Sequence, residues 1–265
     1  RDDERNQVKM KQLDINCDMG ESFGRYKLGM DEEVIRLISS ANVGCGFHGG
    51  DPHVMRKTVA LAKENGVGVG AHPGLPDLLG FGRRKMDITP QELEDFFVYQ
   101  IGALRAFCDA TGVKLQHVKA HGVLSGMAEK DEKIAEAICL AISMLDKDIK
   151  WLTYSGTKTR PIAESMGLQV VEECYADRAY NADLSLVARK KPGAVIKDLP
   201  EIKRRITQLV TEGTIATIDG KVIEMSFKSI AVHGDTPGAL DLVREIRATL
   251  EENQIQIKPM SQMTG

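Results

Sequence analysis

The stretch Leu13-Asp14-Ile15-Asn16-Cys17-Asp18 decides the fold of this 265-residue chain. Its polar and apolar residues alternate, and successive side chains of a β-strand point to opposite faces of the sheet. Strands in a parallel α/β sheet are usually apolar on both faces, because helices or a packed interior cover them. One apolar and one polar face therefore predict a strand whose second face lines a polar centre.

The same alternation recurs in residues 41–48, 67–72 and 117–121. In each of these stretches one face is apolar, while the other carries small or ionisable residues such as Asn42, His72 and Lys119. A polar inner face that recurs in four segments indicates a chemically equipped interior. Glycines at positions such as 68 and 70 leave room there for a ligand or for another part of the chain.

Apolar strand-like runs alternate with helix-like stretches, which predicts an α/β fold with a parallel sheet and right-handed crossovers. The Asp219-Gly220 pair predicts a hairpin within residues 213–225. Asp51, Thr89 and Thr236 each precede a proline and are predicted N-caps. The predicted strands are 12–18, 41–47, 67–72, 115–120, 149–154, 169–175 and 229–233. The predicted helices are 30–40, 52–65, 90–111, 128–145, 157–166, 198–212 and 236–253.

Composition narrows the class of partner. The chain is 42% hydrophobic and 28% charged, and its formal charge of -3 gives no electrostatic reason for binding nucleic acid or a membrane, so we expect a small-molecule partner. The five cysteines have no CxxC spacing, which favours a reducing compartment, and we expect a cytoplasmic protein. We expect a single domain over residues 1–265, with residues 1–11 as a flexible or trimmed extension.

Functional residues of α/β folds gather where strands end and helices follow. A lone histidine in a strand is more often a hydrogen-bonded core residue than a ligand or a base. Here, however, four of the six histidines fall at predicted strand ends, which indicates a common site. The residues at these ends are Asp18, His48, His72, His121, Asp177 and His233.

Seven segments resemble the motifs of the LamB/YcsF family, in unbroken order from about residue 13 to about residue 255. They are residues 16–24, 40–52, 70–74, 80–84, 117–122, 176–180 and 232–238. The resemblance implies a distorted (β/α) barrel with about seven parallel strands, similar to glycoside hydrolases and deacetylases. Seven is also the number of strands predicted above from the apolar strand-like runs.

The family comprises the A subunit of prokaryotic-type 5-oxoprolinase. The resemblance therefore implies a hydrolase that acts on a cyclic amide, with 5-oxoproline opened to L-glutamate at the expense of ATP and with B and C subunits as partners. Phosphorylation of the lactam oxygen would turn a poor electrophile into one that water can attack. Such a site needs a base, cations for the oxygen and groups that orient the substrate.

The residues that can fill these roles form two groups. Lys119 could instead have a purely structural role, in an internal ion pair with Asp14 or Asp18. Arg84 fits a position on the protein surface as well as one in the site. The catalytic candidates are Asp18, Glu21, His48, His72, Lys119, His121 and His233. The substrate-binding candidates are Asn16, Asn42, Asp51, Arg83, Arg178 and Asp235.

Two rival functions stay open from the sequence. The chain could be a stand-alone metal-dependent amidase or deacetylase acting on a related lactam or an acylated sugar, or a non-catalytic binding subunit. The ligands of a divalent metal would come from Asp18, His48, His72, His121 and His233, although no HExxH spacing is present. The chain also departs from the family's usual motifs at Ala120, Ser125, Gly126 and Leu184, which bears on the substrate.

Overall fold

The computed structural model describes residues 12–232 and 238–263. Predicted features in residues 1–11, together with His233, Asp235 and the helix start at Thr236 and Pro237, lie outside the described residues. The strands are, in chain order, β1 (Gln12–Met19), β2 (Ser40–Gly44), β3 (Gly68–His72), β4 (Leu115–Val118), β5 (Lys150–Tyr154), β6 (Val170–Tyr175), β7 (Thr214–Ala216), β8 (Val222–Glu224), β9 (Ser229–Val232) and β10 (Gln256–Ile257).

Seven of these strands form a closed parallel barrel in the order β1-β2-β3-β4-β5-β6-β9. Closure follows from β1, which pairs in parallel with β2 on one side and with β9 on the other. The predicted barrel of about seven parallel strands is therefore confirmed. The strands β7 and β8 pair antiparallel outside the barrel, which confirms the predicted hairpin.

Helices surround this barrel. They are α1 (Asp31–Val34), α2 (Pro52–Glu64), α3 (Pro90–Thr111), α4 (Val123–Ala128), α5 (Glu132–Leu145), α6 (Arg160–Ser165), α7 (Leu199–Glu212) and α8 (Ala239–Glu252). Asp51 caps α2, and Thr89 forms a capping box with Glu92 at the start of α3, as the sequence predicts. The longest helix, α3, buries Leu93 and Phe97 against the core. Burial of an apolar side chain of this size stabilises the folded state by about 1.5–3 kcal/mol.

Some predicted boundaries are wrong. The helix predicted over 30–40 ends by residue 37, because the backbone of Ser39 already bonds to Ile15 and Ser40 begins β2. The helix predicted over 128–145 is replaced by α4 and α5, since Asp131 caps a new start by accepting from the Lys133 N–H. The strands predicted over 41–47 and 115–120 end at Gly44 and Val118, and loops carry the chain onward to the predicted site.

The alternation in β1 has the predicted consequence. Leu13 and Ile15 are fully buried in the hydrophobic core, whereas the side chains of Asp14, Asn16 and Asp18 meet polar side chains of neighbouring strands inside the barrel. The polar interior predicted from the sequence is therefore present. It is largely a hydrogen-bonded network of side chains.

The end of the barrel at which the strands begin is closed by the last described segment. The strand β10 adds in parallel to the start of β1, and Met260 packs against Leu152 and Val171. Beside it, the Ser261 N–H donates to Gln116 Oε1 at 3.1 Å. The candidate site lies at the opposite end, where the strands finish.

All five cysteines are free and buried. Among residues 12–232 and 238–263, no helix has both the length and the apolar character that crossing a membrane requires.

Candidate active site

A cavity of about 220 Å³ opens at the carboxyl ends of the barrel strands. It brings together six of the predicted site residues, drawn from β1, β3 and the segments after β3, β4 and β6. The predicted residues that line it are Asp18, His72, Arg83, Lys119, His121 and Arg178. Further lining residues include Ala120, Ser125, Tyr154, Tyr175 and Arg189.

Lys119 is a buried cation held between two carboxylates. Its Nζ lies 3.3 Å from Asp18 Oδ1 and 3.1 Å from Glu173 Oε2, and it donates to Asn16 Oδ1 at 3.1 Å. Burial acts to lower the pKa of Lys119, but the carboxylates of Asp18 and Glu173 outweigh it and hold that pKa above its ordinary value. The internal ion pair considered from the sequence therefore forms with Asp18, together with Glu173.

Asp18 is the carboxylate of this network that reaches the cavity. Its side chain is 22% exposed, against 1% for Glu173. Asn42 donates to Asp18 Oδ1 at 2.8 Å and to Asn16 Oδ1 at 2.7 Å. Asn16 and Asn42 are thus fully buried below the cavity, where they orient Asp18 and Lys119.

Three histidines, each on a different strand or loop, lie beside Asp18. His72 Nδ1 lies 2.8 Å from the Lys119 carbonyl oxygen, and His121 Nε2 lies 2.8 Å from the Phe81 carbonyl oxygen. The other nitrogens of the two rings, His72 Nε2 and His121 Nδ1, face each other at 3.0 Å. His72 Nε2 is also 3.4 Å from Asp18 Oδ2.

Glu21 and His48 complete this group. His48 stacks on His121 with 3.5 Å between ring centroids, and its Nε2 donates to Glu21 Oε1 at 2.8 Å. Burial, followed by the neighbouring histidines, lowers the pKa of His48 and brings that of His121 to about 3. Ligand atoms of Glu21, His48, His72 and His121 all lie within 4.8 Å of one another, a grouping that is compatible with a metal ion.

Three arginines give the cavity a positive wall. Arg83, Arg178 and Arg189 line it, and Arg178 is positioned by donating to the carbonyl oxygens of Ala194 and Val187 at 3.2 and 2.7 Å. Guanidinium groups match the geometry of carboxylates and phosphates. By contrast, Arg84 pairs with Asp77 and keeps an exposed side chain, which is the surface position considered from the sequence.

Other predicted residues lie elsewhere. Asp51 accepts hydrogen bonds from the backbone of His53, Val54 and Gly24, so its oxygens hold the start of α2. Asp177 borders a second cavity of about 200 Å³, beside Ala239 at the start of α8.

Sequence reasoning missed two charged residues. Glu173 shares the inner face of β6 with Tyr175, and the alternation that placed Asp18 would also have found it, since Val171, Glu173 and Tyr175 are two apart. Arg189 lies in the connection between β6 and α7, where no local pattern marks it.

Two of the four departures from the family's usual motifs fall at this cavity. Ala120 and Ser125 line it, and the Ser125 hydroxyl donates to the Ala120 carbonyl oxygen at 2.8 Å. Leu184 has a φ of 65°, in the left-handed region that favours glycine, while its Cδ1 packs close to Gly156.

Comparisons with known proteins agree with this architecture. The model of the LamB/YcsF family matches residues 13–265. A protein of Pyrococcus abyssi, named as the A subunit of 5-oxoprolinase, is 53% identical over 253 residues, which cover 96% of this chain and 99% of that protein.

Solved structures show the same fold. The lactam utilization protein from Thermus thermophilus is 41% identical, with a TM-score of 0.90 over 94% of this chain and 100% of that one. A beta-1,4-mannanase, 11% identical, shares the barrel alone, with a TM-score of 0.51 over 91% of this chain and 99% of that one. The match of the family model and the 53% identity together establish that this chain belongs to the LamB/YcsF family.

Proposed function

We propose that this chain is the A subunit of an ATP-dependent 5-oxoprolinase, which opens 5-oxoproline to L-glutamate together with B and C subunits in the cytoplasm. The observation that carries the proposal is the pairing of Lys119 with Asp18 in a cavity whose wall holds three arginines. The names of the relatives give the substrate, and the five free thiols fit a reducing compartment.

The arginines fit a substrate that carries two anionic groups. A lactam phosphorylated on its oxygen presents a carboxylate and a phosphate, and Arg83, Arg178 and Arg189 offer planar donors for both. Phosphorylation is assigned to the partner subunits with ATP. The arginine wall then binds the activated lactam and keeps its carbonyl carbon near Asp18.

Asp18 acts as the base in this proposal. Water oxygen bonds to the lactam carbon while Asp18 takes one proton of the water. As the carbon–nitrogen bond breaks and the carbonyl group forms, that proton and the remaining hydroxyl proton both pass to the ring nitrogen. The product of this step is an acyl phosphate, which a second water hydrolyses to glutamate and phosphate. Lys119, 3.3 Å from Asp18, stabilises the ionised carboxylate and the negative charge that develops nearby.

The test is an assay of ATP-dependent glutamate formation by the assembled A, B and C subunits with Asp18→Asn. Asparagine keeps the hydrogen bond from Asn42 but cannot take a proton, so we expect activity to fall by about 100-fold or more. The matched control is Asp148→Asn, because Asp148 lies 3.3 Å from Lys114 in an exposed ion pair of the same length. The control should retain full activity.

Other outcomes would favour the rival functions. Undiminished glutamate formation by Asp18→Asn would point to a non-catalytic binding subunit. Hydrolysis of a lactam or an acylated sugar by this chain alone, without ATP, would point to a stand-alone amidase or deacetylase.

A further inference from the structure

The contact between His72 and His121 has an unusual hydrogen-bond arrangement. A carbonyl oxygen can only accept a hydrogen bond, so His72 Nδ1 must carry the proton shared with the Lys119 carbonyl, and His121 Nε2 the proton shared with the Phe81 carbonyl. In neutral rings this leaves lone pairs on His72 Nε2 and His121 Nδ1. These two lone pairs face each other at 3.0 Å.

Two carboxylate oxygens lie next to this pair of ring nitrogens. Glu21 Oε1 lies 3.4 Å from His121 Nδ1, and Asp18 Oδ2 lies 3.4 Å from His72 Nε2. The two facing ring nitrogens repel each other unless a positive species lies between them, and the two carboxylates add negative charge beside that position. That species is either a proton shared by the two rings or a metal cation.

We propose that Glu21, His72 and His121 bind a divalent transition-metal ion, with His48 as the residue that positions Glu21. Adjacent ligands of a tetrahedral zinc ion with bonds of about 2.0–2.1 Å lie about 3.3 Å apart. The 3.0 Å and 3.4 Å separations that join the three ligand atoms through His121 are close to that spacing. Two imidazoles and one carboxylate are a donor set that suits zinc and its neighbours.

The surroundings of the ligands support a cation over a shared proton. Metal-binding histidines typically donate their second N–H to a carbonyl or carboxylate, as His72 and His121 both do, and ligating carboxylates are themselves hydrogen-bonded, as Glu21 is by His48. Three protein ligands are the number typical of catalytic zinc sites, in which water or substrate would take the fourth position. A bound ion would supply Lewis acidity there.

The experiment is direct metal binding to the purified chain, without substrate, ATP or partner subunits. The protein is stripped with a chelator and titrated with Zn²⁺ against a chromophoric chelator, while the thermal unfolding midpoint is recorded with and without Zn²⁺. We expect one ion per chain and a rise of the midpoint on binding. His121→Ala and Glu21→Gln should each weaken Zn²⁺ binding by at least about 10–100-fold.

The matched control is His53→Ala, because His53 is an exposed histidine on α2, away from this group. It should bind Zn²⁺ like the unchanged chain. Absence of stoichiometric binding by the folded chain, or equal binding by Glu21→Gln and the unchanged chain, would overturn the proposal and leave a shared proton as the explanation. Since glutamate formation is not measured, this result is separate from the test of Asp18.

Discussion

Asp14 is a carboxylate enclosed in the barrel by hydroxyl groups. The hydroxyls of Ser39 and Ser40 donate to its Oδ1 at 2.6 and 2.5 Å, and that of Ser229 donates to Oδ2. Burial nevertheless dominates and raises the pKa of Asp14 to about 6 from 3.8. Complete hydrogen bonding therefore does not replace the water that this carboxylate loses on folding.

The raised pKa of Asp14 predicts a particular pH dependence. Between about pH 4 and pH 6 the folded chain keeps a proton that the unfolded chain has lost, so the free energy of unfolding falls as pH rises through that window. From the shift to about 6, the fall amounts to about 3 kcal/mol. Urea unfolding at several pH values should show this fall in the unchanged chain and its loss in Asp14→Asn.

A control separates Asp14 from the other carboxylates. Asp148→Asn alters an exposed side chain and should leave the pH profile of the unchanged chain intact. If Asp14→Asn and the unchanged chain lost stability in parallel between pH 4 and pH 6, the assignment to Asp14 would be wrong.

At the scale of the elements, the packing of β3 against β4 requires glycine at positions 68 and 70 of β3. A Cβ at Gly70 would lie 2.1 Å from His117 Nε2, and a Cβ at Gly68 would lie 2.3 Å from Gln116 Nε2. A register irregularity between Val69 and Gly70 accompanies this crossing of side chains over β3. The glycines of β3 therefore make room for side chains of the neighbouring strand.

Gly70→Ala should lower the free energy of unfolding by about 2–4 kcal/mol. The added methyl group displaces His117 and breaks its 2.6 Å hydrogen bond to Asn42. Denaturant unfolding measures the change. In a His117→Ala background the same substitution should cost at least about 1 kcal/mol less, because the clash is gone.

Gly102→Ala is the matched control for this prediction. A Cβ at Gly102, within α3, meets no atom within 4 Å, so alanine should stabilise the helix by up to about 1 kcal/mol. Equal effects of alanine at positions 70 and 102 would show that β3 does not need its glycine.

These elements also mark how far the sequence could predict the fold and the site. Alternation in β1 predicted which side chains line the barrel, and the capping residues Asp51 and Thr89 predicted two helix starts, since both signals are local. The partner of Lys119 was predicted only in part, because Glu173 is distant in sequence and reaches Lys119 through barrel closure. Arg189 carries no local signal at all.

At the scale of the whole molecule, the two ends of the barrel have different tasks. The mouth holds the charged cavity, while the other end is closed by Met260 against Leu152 and Val171. The sequence did not predict this closure, because these residues lie on strands more than about 80 positions earlier in the chain and their contact depends on the completed ring. Stability and activity should therefore be separable by substitutions at opposite ends.

Met260→Ala tests that separation. Met260 is 2% exposed, so truncation leaves a cavity in the closed end and should lower the free energy of unfolding by about 2–5 kcal/mol. Gln262→Ala, which alters an exposed residue of the same turn, should change that free energy by less than about 0.5 kcal/mol. Both changes are measured by urea unfolding.

Loss of the Met260 side chain should leave Zn²⁺ binding and activity at the mouth of the barrel unchanged. Below its unfolding temperature, Met260→Ala should bind Zn²⁺ and support glutamate formation like the unchanged chain, because neither Asp18 nor the histidine group touches the closed end. Reduced Zn²⁺ affinity in the folded Met260→Ala protein would show instead that the closed end and the mouth are coupled through the polar interior.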